Sequence, residues 1–428
     1  MNQVMEHHPM VYRANIAAES GDASLRSARG HFDPKLFGDI GQKYFKNDQY
    51  YSQMKGGVKV PTWFGISMEA GYENNGGAYL NPERSVPEAG LWYAGLQLDL
   101  GNGLIMNQRR AELEKAKLFE AQSEFQRTIL RNQLYHDASN AYWKWYFMFE
   151  TLRVYEDAVK NAEVRFKGIK ESAIYGDKPY IDTVEAKILL QNRTVSYLEA
   201  QTKFQNAEAQ LELYLWGEGI VPIELEGVYP EKSPEEDIGL IETEYSVLNH
   251  PYLSINELKL KEKEVELKLK REQLKPDLTL KYNALSEPVG SDLLAEYSIS
   301  NYTWGASFAY PILSRKARGD VKLSKLKLQD QELTLTYLEA ELKYKIEVAK
   351  NELELSNQKL FLNQKLAENT QSLFAAEQAL FQLGESSVFM INSRENSYLK
   401  SSIELINARL GVMVNRNSYL LRRMLFDI

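Results

Sequence analysis

His8-Pro9-Met10-Val11-Tyr12, followed 25 residues after its proline by Asp33-Pro34-Lys35-Leu36, is answered later in the chain by His250-Pro251-Tyr252-Leu253 and, at the same spacing, Lys275-Pro276-Asp277-Leu278. Proline is tolerated in a helix's first turn and disfavoured inside, so each pair brackets a short helix. After each second proline comes strand-like sequence, then a proline-free helical stretch from Leu104 or from Leu313. That stretch breaks at Ile174-Tyr175-Gly176-Asp177 in one copy and at Gln382-Leu383-Gly384-Glu385 in the other. A returning helix follows, Tyr180 to Trp216 and Ser387 to Arg423. The long stretches count 71 and 70 residues and the returning ones 37 each. Such agreement marks an internal duplication, and a repeat of this size decides the fold before any local assignment does.

The reading divides the chain into a short helix over 1–33, a β segment over 34–103 with strands near 62–72 and 91–100, and a helical hairpin over 104–216. A linker over 217–248, holding Pro222, Pro230 and Pro234, leads to the second copy. There the short helix takes 249–275, the β segment 276–312 with strands near 277–285 and 301–310, and the helical hairpin 313–424. At about 1.5 Å per residue each long helix extends roughly 105 Å, too far to stand without partners. A short and a returning helix stacked end to end could supply one. Apolar residues recur at spacings of three and four, as in Leu335, Leu338, Leu342, Ile346, Ala349 and Leu353, or Leu399, Ile403, Ile406, Leu410 and Met413. These are coiled-coil seams that hold structure and carry no chemistry.

Between the helices the period is two. Phe64, Ile66, Met68, Ala70 and Tyr72 alternate with small or polar residues, as do Trp92 to Leu100, Leu278 to Ala284 and Tyr302 to Tyr310. A soluble sheet lying on a core is the commoner meaning of alternation. Runs of this length with aromatics near both ends instead fit transmembrane barrel strands, and the helices have no free face to cover the sheet. Four strands cannot close a barrel, and open edges are not tolerated in lipid, so several chains must build it.

Composition narrows the function. The chain has 428 residues, no cysteine, a net charge of -8 and 26 % charged residues, and its mean hydropathy is -0.44. Disulfides and thiolate chemistry are excluded, no run approaches the ~18 apolar residues of a transmembrane helix, and no basic stretch suits nucleic acid. Met1 to His8 is polar and does not read as a signal peptide, so either the protein is cytoplasmic or the chain starts after cleavage. His7, His8, His31, His136 and His250 show no zinc-ligand spacing, and Gly101-Asn102-Gly103 lacks the Lys and Ser/Thr of a phosphate loop. The reading is of a non-enzymatic protein without catalytic residues, cofactor or metal.

The ordered, duplicated set of His8-Pro9 and His250-Pro251, Pro34-Lys35-Leu36 and Pro276-Asp277-Leu278, Tyr310-Pro311-Ile312, Tyr175-Gly176 and Leu383-Gly384 resembles the TolC family of outer-membrane efflux proteins, from about Met5 to Arg423. The resemblance implies a mainly α fold with a β-barrel portion: duplicated long helical hairpins forming a coiled-coil tunnel, with four transmembrane β-strands per chain and a twelve-stranded barrel in a homotrimer. It further implies an outer-membrane location with a long periplasmic extension, the linker lying at an equatorial belt. The function implied is a passive exit duct of a tripartite efflux or type I secretion system. Partners would be outer-membrane lipid, a periplasmic adaptor (membrane fusion protein) and an inner-membrane pump of RND or ABC type, the adaptor meeting the turns at Gly176, Asp177, Gly384 and Glu385. The alternative is a soluble periplasmic coiled-coil structural or adaptor protein.

Two departures stand out. Pro34 to Gly95 spans 61 residues but Pro276 to Gly305 only 29, so the first copy holds 32 extra residues, expected to form an added hairpin or excursion before the strand at Thr62. Better-known family members carry an acidic constriction six and nine positions after the second turn glycine, where this chain has Met390 and Ser393. The first copy has Asp182 and Glu185 at those positions, on one helix face. They are the expected lining of a periplasmic aperture, with an ordinary solvated helix face as the alternative.

Overall fold

The computed structural model describes residues 1–231, 247–288 and 297–426. Its elements are α1 (Asn2–His7), α2 (Pro9–Arg29), β1 (Lys35–Phe45), β2 (Asp48–Pro61), β3 (Ile66–Gly76), β4 (Leu91–Asp99), α3 (Gln108–Ile174), α4 (Tyr180–Glu212), β5 (Trp216–Gly217), β6 (Val221–Pro222), α5 (Pro251–Glu272), β7 (Asp277–Ser286), β8 (Tyr302–Ala309), α6 (Arg315–Gln382) and α7 (Val388–Arg423). Among the described residues no helix is long and apolar enough to cross a membrane. The chain forms two compact units. One comprises Met1–Ile16, Gln126–Tyr252 and Leu338–Ile428, the other Ala17–Phe125 and Leu253–Tyr337.

The second unit holds an antiparallel sheet in the order β1-β2-β3-β4-β7-β8. The four expected strands are β3, β4, β7 and β8. The extra residues of the first copy fold as the expected added hairpin, β1–β2, which pairs with β3 in the same sheet and brings it to six strands. Lys46 and Asn47, both with positive φ, make its two-residue turn, the geometry whose twist matches paired strands.

The register puts one apolar row across all six strands, Leu36, Val58, Ala70, Ala94, Ala284 and Tyr302. A neighbouring row runs Val60, Met68, Leu96, Tyr282 and Trp304. The opposite face is polar. There Glu69 receives Lys281 at 3.4 Å, Lys55 at 3.7 Å and Lys59 at 4.0 Å, and the Tyr93 hydroxyl donates to Glu69 Oε1 at 3.3 Å. The Tyr93 ring lies over the notch at Gly71, where a Cβ would meet its hydroxyl at 2.6 Å, and Lys55 Nζ sits 4.5 Å from the ring centroid. Three consecutive strands, β2 to β4, and β7 beyond them are thus laced on one face. The helices of this unit pack through small clusters, Met106, Ala111, Val265 and Leu269 in one and Leu25, Ala28 and Ala116 in another.

In the first unit the core is a row of such clusters. The aromatic stretch Tyr142 to Phe149 of α3 serves two of them: Trp145 packs with Phe204, Ala207 and Leu211 of α4, while Tyr146 and Phe147 pack with Ile406 and Met413 of α7. A separate short helix, α1, precedes the one that Pro9 opens and is parted from it at His8, whose backbone is extended. His8 Nδ1 accepts the Met10 amide at 3.1 Å and its Nε2 donates to the Leu213 carbonyl at 3.2 Å. In the second copy His250 Nδ1 accepts the Tyr252 amide at 3.2 Å and the Arg422 carbonyl lies beside the ring. Each histidine therefore caps the helix that its proline opens, and seats that start on the last turn of the returning helix of its own copy. His250 is 1 % exposed. Burial pushes its pKa down to about 4, with the Arg422 carbonyl pulling the other way; burial lowers that of His8 also, against the pull of the Leu213 carbonyl.

Candidate functional site at the helical turns

The two turns joining long and returning helices share one geometry. Asp177 N–H donates to Ser172 O at 2.9 Å and Gly176 N–H to Ala173 O at 3.2 Å; in the second copy Glu385 N–H reaches Leu380 O at 2.9 Å and Gly384 N–H reaches Phe381 O at 3.2 Å. Gly176 and Gly384 take φ of 83° and 81°. This is the Schellman stop, in which a left-handed residue returns two amides to the orphaned carbonyls of the last turn. After the second turn the Ser387 hydroxyl accepts the Met390 amide at 3.2 Å and so starts α7, whereas Pro179 starts α4 without a side-chain cap. Gly176, Asp177, Gly384 and Glu385 are all exposed.

Asp182 lies half-buried in the first turn of α4. Glu185, one turn on, faces α7 and accepts Asn392 Nδ2 at 3.5 Å. Behind them Ile169, Ala186 and Val388 form the cluster nearest the turns, with Phe166 and Phe381 against it, and Lys178 Nζ lies 4.4 Å over the Phe381 ring. The two carboxylates that spacing puts on one helix face thus differ in their surroundings, since only Glu185 is engaged across the helix interface.

The most buried charges here were not visible to motif reading. Arg165 Nη1 of α3 donates to Glu395 Oε2 at 2.6 Å and to Asn392 Oδ1 at 3.0 Å, with Glu395 only 2 % exposed. Arg193 Nη2 of α4 donates to Asn396 Oδ1; burial lowers the Arg193 pKa and Glu395 opposes that. Glu377 accepts the Ser386 hydroxyl and lies 3.8 Å from Arg394 Nε. A signal did exist. The Leu399 seam of α7, continued backward by steps of four and three, arrives at Glu395, Asn392 and Val388. Polar residues on an apolar seam require partners, and here they bind α7 to α3 and α4. Among the described residues no group of three His, Cys, Asp or Glu side chains could hold a metal ion.

Large apolar residues at heptad-like spacings are left exposed on two helices of this unit: Ile181, Val184, Ile188, Val195 and Leu198 on α4, and Leu355, Leu362, Leu366, Leu373 and Leu380 on α6. They are second seams without an occupant, so these helices do carry a free apolar face that the sequence reading did not expect. The outer-membrane channel CmeC of Campylobacter jejuni superimposes with a TM-score of 0.70 over 99% of this chain and 85% of its own, at 13% identity. The outer membrane protein VceC of Vibrio cholerae gives 0.70 over 98% and 94% at 12% identity, and the open MtrE outer-membrane channel of Neisseria gonorrhoeae 0.70 over 99% and 87% at 14% identity. The chain has the fold of the outer-membrane channels. No protein-family model and no curated protein matches it in sequence, so the likeness is one of fold.

Proposed function

We propose that this protein is an outer-membrane exit duct: a homotrimeric, non-enzymatic channel that carries cargo passively across the outer membrane for an efflux or type I secretion assembly. The observation that carries this reading is the sheet, whose apolar face is continuous over six strands and exposed. In water such a face is a liability; in lipid it is the required surface, provided the edges close. The unoccupied seams on α4 and α6 support the trimer. Two different surfaces on one chain make a head-to-tail contact, which closes into a ring when the rotation allows. A soluble adaptor would have no use for this sheet face.

On this reading the turns at Gly176-Asp177 and Gly384-Glu385 meet a periplasmic adaptor, which couples the duct to an inner-membrane pump of RND or ABC type. Asp182, repeated three times, lines the periplasmic aperture, and Glu185 stands beside it, tied to Asn392. Clustered carboxylates favour cations in such an aperture. The test is to purify the full chain in detergent, measure its mass and record single channels in planar bilayers. A trimer with cation-selective conductance is expected, its selectivity reduced in the double variant Asp182→Asn, Glu185→Gln. A monomer that stays soluble without detergent would overturn the duct, and unchanged selectivity in the double variant would remove the aperture role alone.

A further inference from the structure

The hairpin β1–β2 is more than an appendage to a sheet of four. Resting on the trimeric-duct reading, we propose that it is part of the barrel wall: β1 of each chain pairs with β8 of the next, and the trimer closes an eighteen-stranded barrel, six strands from each chain. Four observations lead there.

The first is the register. From Lys35 to Lys43 the hairpin keeps the sheet's alternation, the register shifting only between Lys43 and Tyr44 beside the turn; this places Leu36, Ile40, Met54 and Val58 on the apolar face and Lys35, Asp39, Lys43, Lys55 and Lys59 on the polar face or its rim. A one-residue shift would have put the lysines toward lipid. A flap lying outside the wall would have no reason to keep both faces in phase with it.

The second is the lacing. Lys55 and Lys59 of β2 converge on Glu69 of β3 together with Lys281 of β7. Peeling the hairpin away would strip that carboxylate of two of its three cations.

The third is the state of the two edges. Ile40 of β1 is 76 % exposed and Trp304 of β8 is 71 % exposed. β8, Tyr302-Thr303-Trp304-Gly305-Ala306-Ser307-Phe308-Ala309, has no charge and no proline, the devices by which soluble edges are protected. In lipid a row of unpaired amides and carbonyls must find a partner strand. β3 cannot supply one, since β2 and β4 occupy both its sides.

The fourth is direction. Every neighbouring pair in the sheet is antiparallel, and with an even number of strands the first and last run oppositely. β8 of one chain therefore meets β1 of the next antiparallel, and three chains close by rotation with no strand reversed.

Barrel diameter grows about linearly with strand number, so this wall is ~1.5-fold wider than one built from four strands per chain. The charged residues added on the polar face are mostly basic, Lys35, Lys43, Lys55 and Lys59 against Asp39.

The chain has no native cysteine, which makes cross-linking clean. Cysteines would replace Ile40 together with Trp304 or Ala306, one pair per variant, in the full chain purified in detergent. Ile40 and these positions lie on opposite edges of one six-stranded sheet, beyond disulfide reach within a chain. Oxidation should give a reductant-sensitive covalent trimer. The parallel variants pair Met68 with the same β8 positions. A covalent trimer from the Met68 pairs, or no intermolecular bond from any pair in a protein that is trimeric by mass, would overturn the eighteen-stranded wall and leave the duct reading intact. A monomer by mass would remove the duct reading itself. Counting strands in an electron cryo-microscopy map of the unmodified trimer provides a variant-free check: eighteen supports the wall, twelve with the hairpin outside overturns it.

Discussion

The two copies of the repeat agree at their helix ends and disagree elsewhere. Both histidines cap a proline-started helix on the end of a returning one, and both glycines close a long helix with the same pair of amides. Yet the first copy gives the sheet four strands and the second gives it two. Near the turns, counting from the glycines, Arg165 corresponds to Leu373 and Glu395 to Lys187. The buried ion pair between Arg165 and Glu395 therefore has no counterpart in the repeat. The difference teaches where a duplicated chain is constrained. Helix ends carry backbone groups that must be satisfied in each copy, so their chemistry is kept. A sheet can grow at its edge, and a seam can exchange apolar for polar residues if partners change with them, so there the copies are free to part.

Three measurements sharpen or break this contrast. The largest effect belongs to the unmatched pair. Glu395→Ala leaves Arg165 buried without its carboxylate and should cost about 3–5 kcal/mol in denaturant unfolding, whereas Lys187→Ala, at the equivalent exposed position, should stay within about 0.5 kcal/mol. Similar costs at both sites would mean that the copies are equivalent here after all.

The capping histidines come next, through pH. His250 is held neutral with a pKa lowered from 6.5 to about 4. Between those values the unfolded chain takes up a proton that the folded chain refuses, so stability falls as pH falls through the window, by roughly 3 kcal/mol in total. Thermal unfolding between pH 7 and 4 should show that decline, and His250→Gln should flatten it. His8, less buried, should contribute a weaker slope of the same sign.

The smallest effect should also be the most symmetrical. Gly176→Ala and Gly384→Ala each force a Cβ into a left-handed residue with open space around it. Each should cost about 1–2 kcal/mol, equally in the two copies. A marked inequality would show that one turn is held by something beyond its own backbone.

Much of the fold was legible because its signals are periodic. The seams at Leu342 to Leu353 and at Leu399 to Met413, the alternation in β3, β4, β7 and β8, and the glycine breaks each repeat a spacing set by backbone geometry. The hairpin β1–β2 was harder to read as wall. Its alternation passes through Gly38, Gln42, Ser52 and Gly56, which thin out the apolar signal, and its turn uses Lys46-Asn47 where a glycine would have announced it. At the turns, periodicity placed Asp182 and Glu185 on one face but could not say that Glu185 would reach Asn392, because that depends on how α4 and α7 are rotated against each other. The Arg165–Glu395 pair was missed because long-range partners, here 230 residues apart, leave no local trace. Only the seam positions of Asn392 and Glu395 hinted at it.

The histidine caps also bear on how the chain comes to be folded. His8 finds its acceptor at Leu213, 205 residues on, and the His250 ring packs beside the Arg422 carbonyl. Each copy is thus latched by a contact between its opening residue and its closing helix, of the long-range kind whose loop-closure entropy slows folding. During synthesis the first latch can engage while the second copy is still being made. The second must wait for the end of α7, so the order of the two copies along the chain sets the order in which they can be completed.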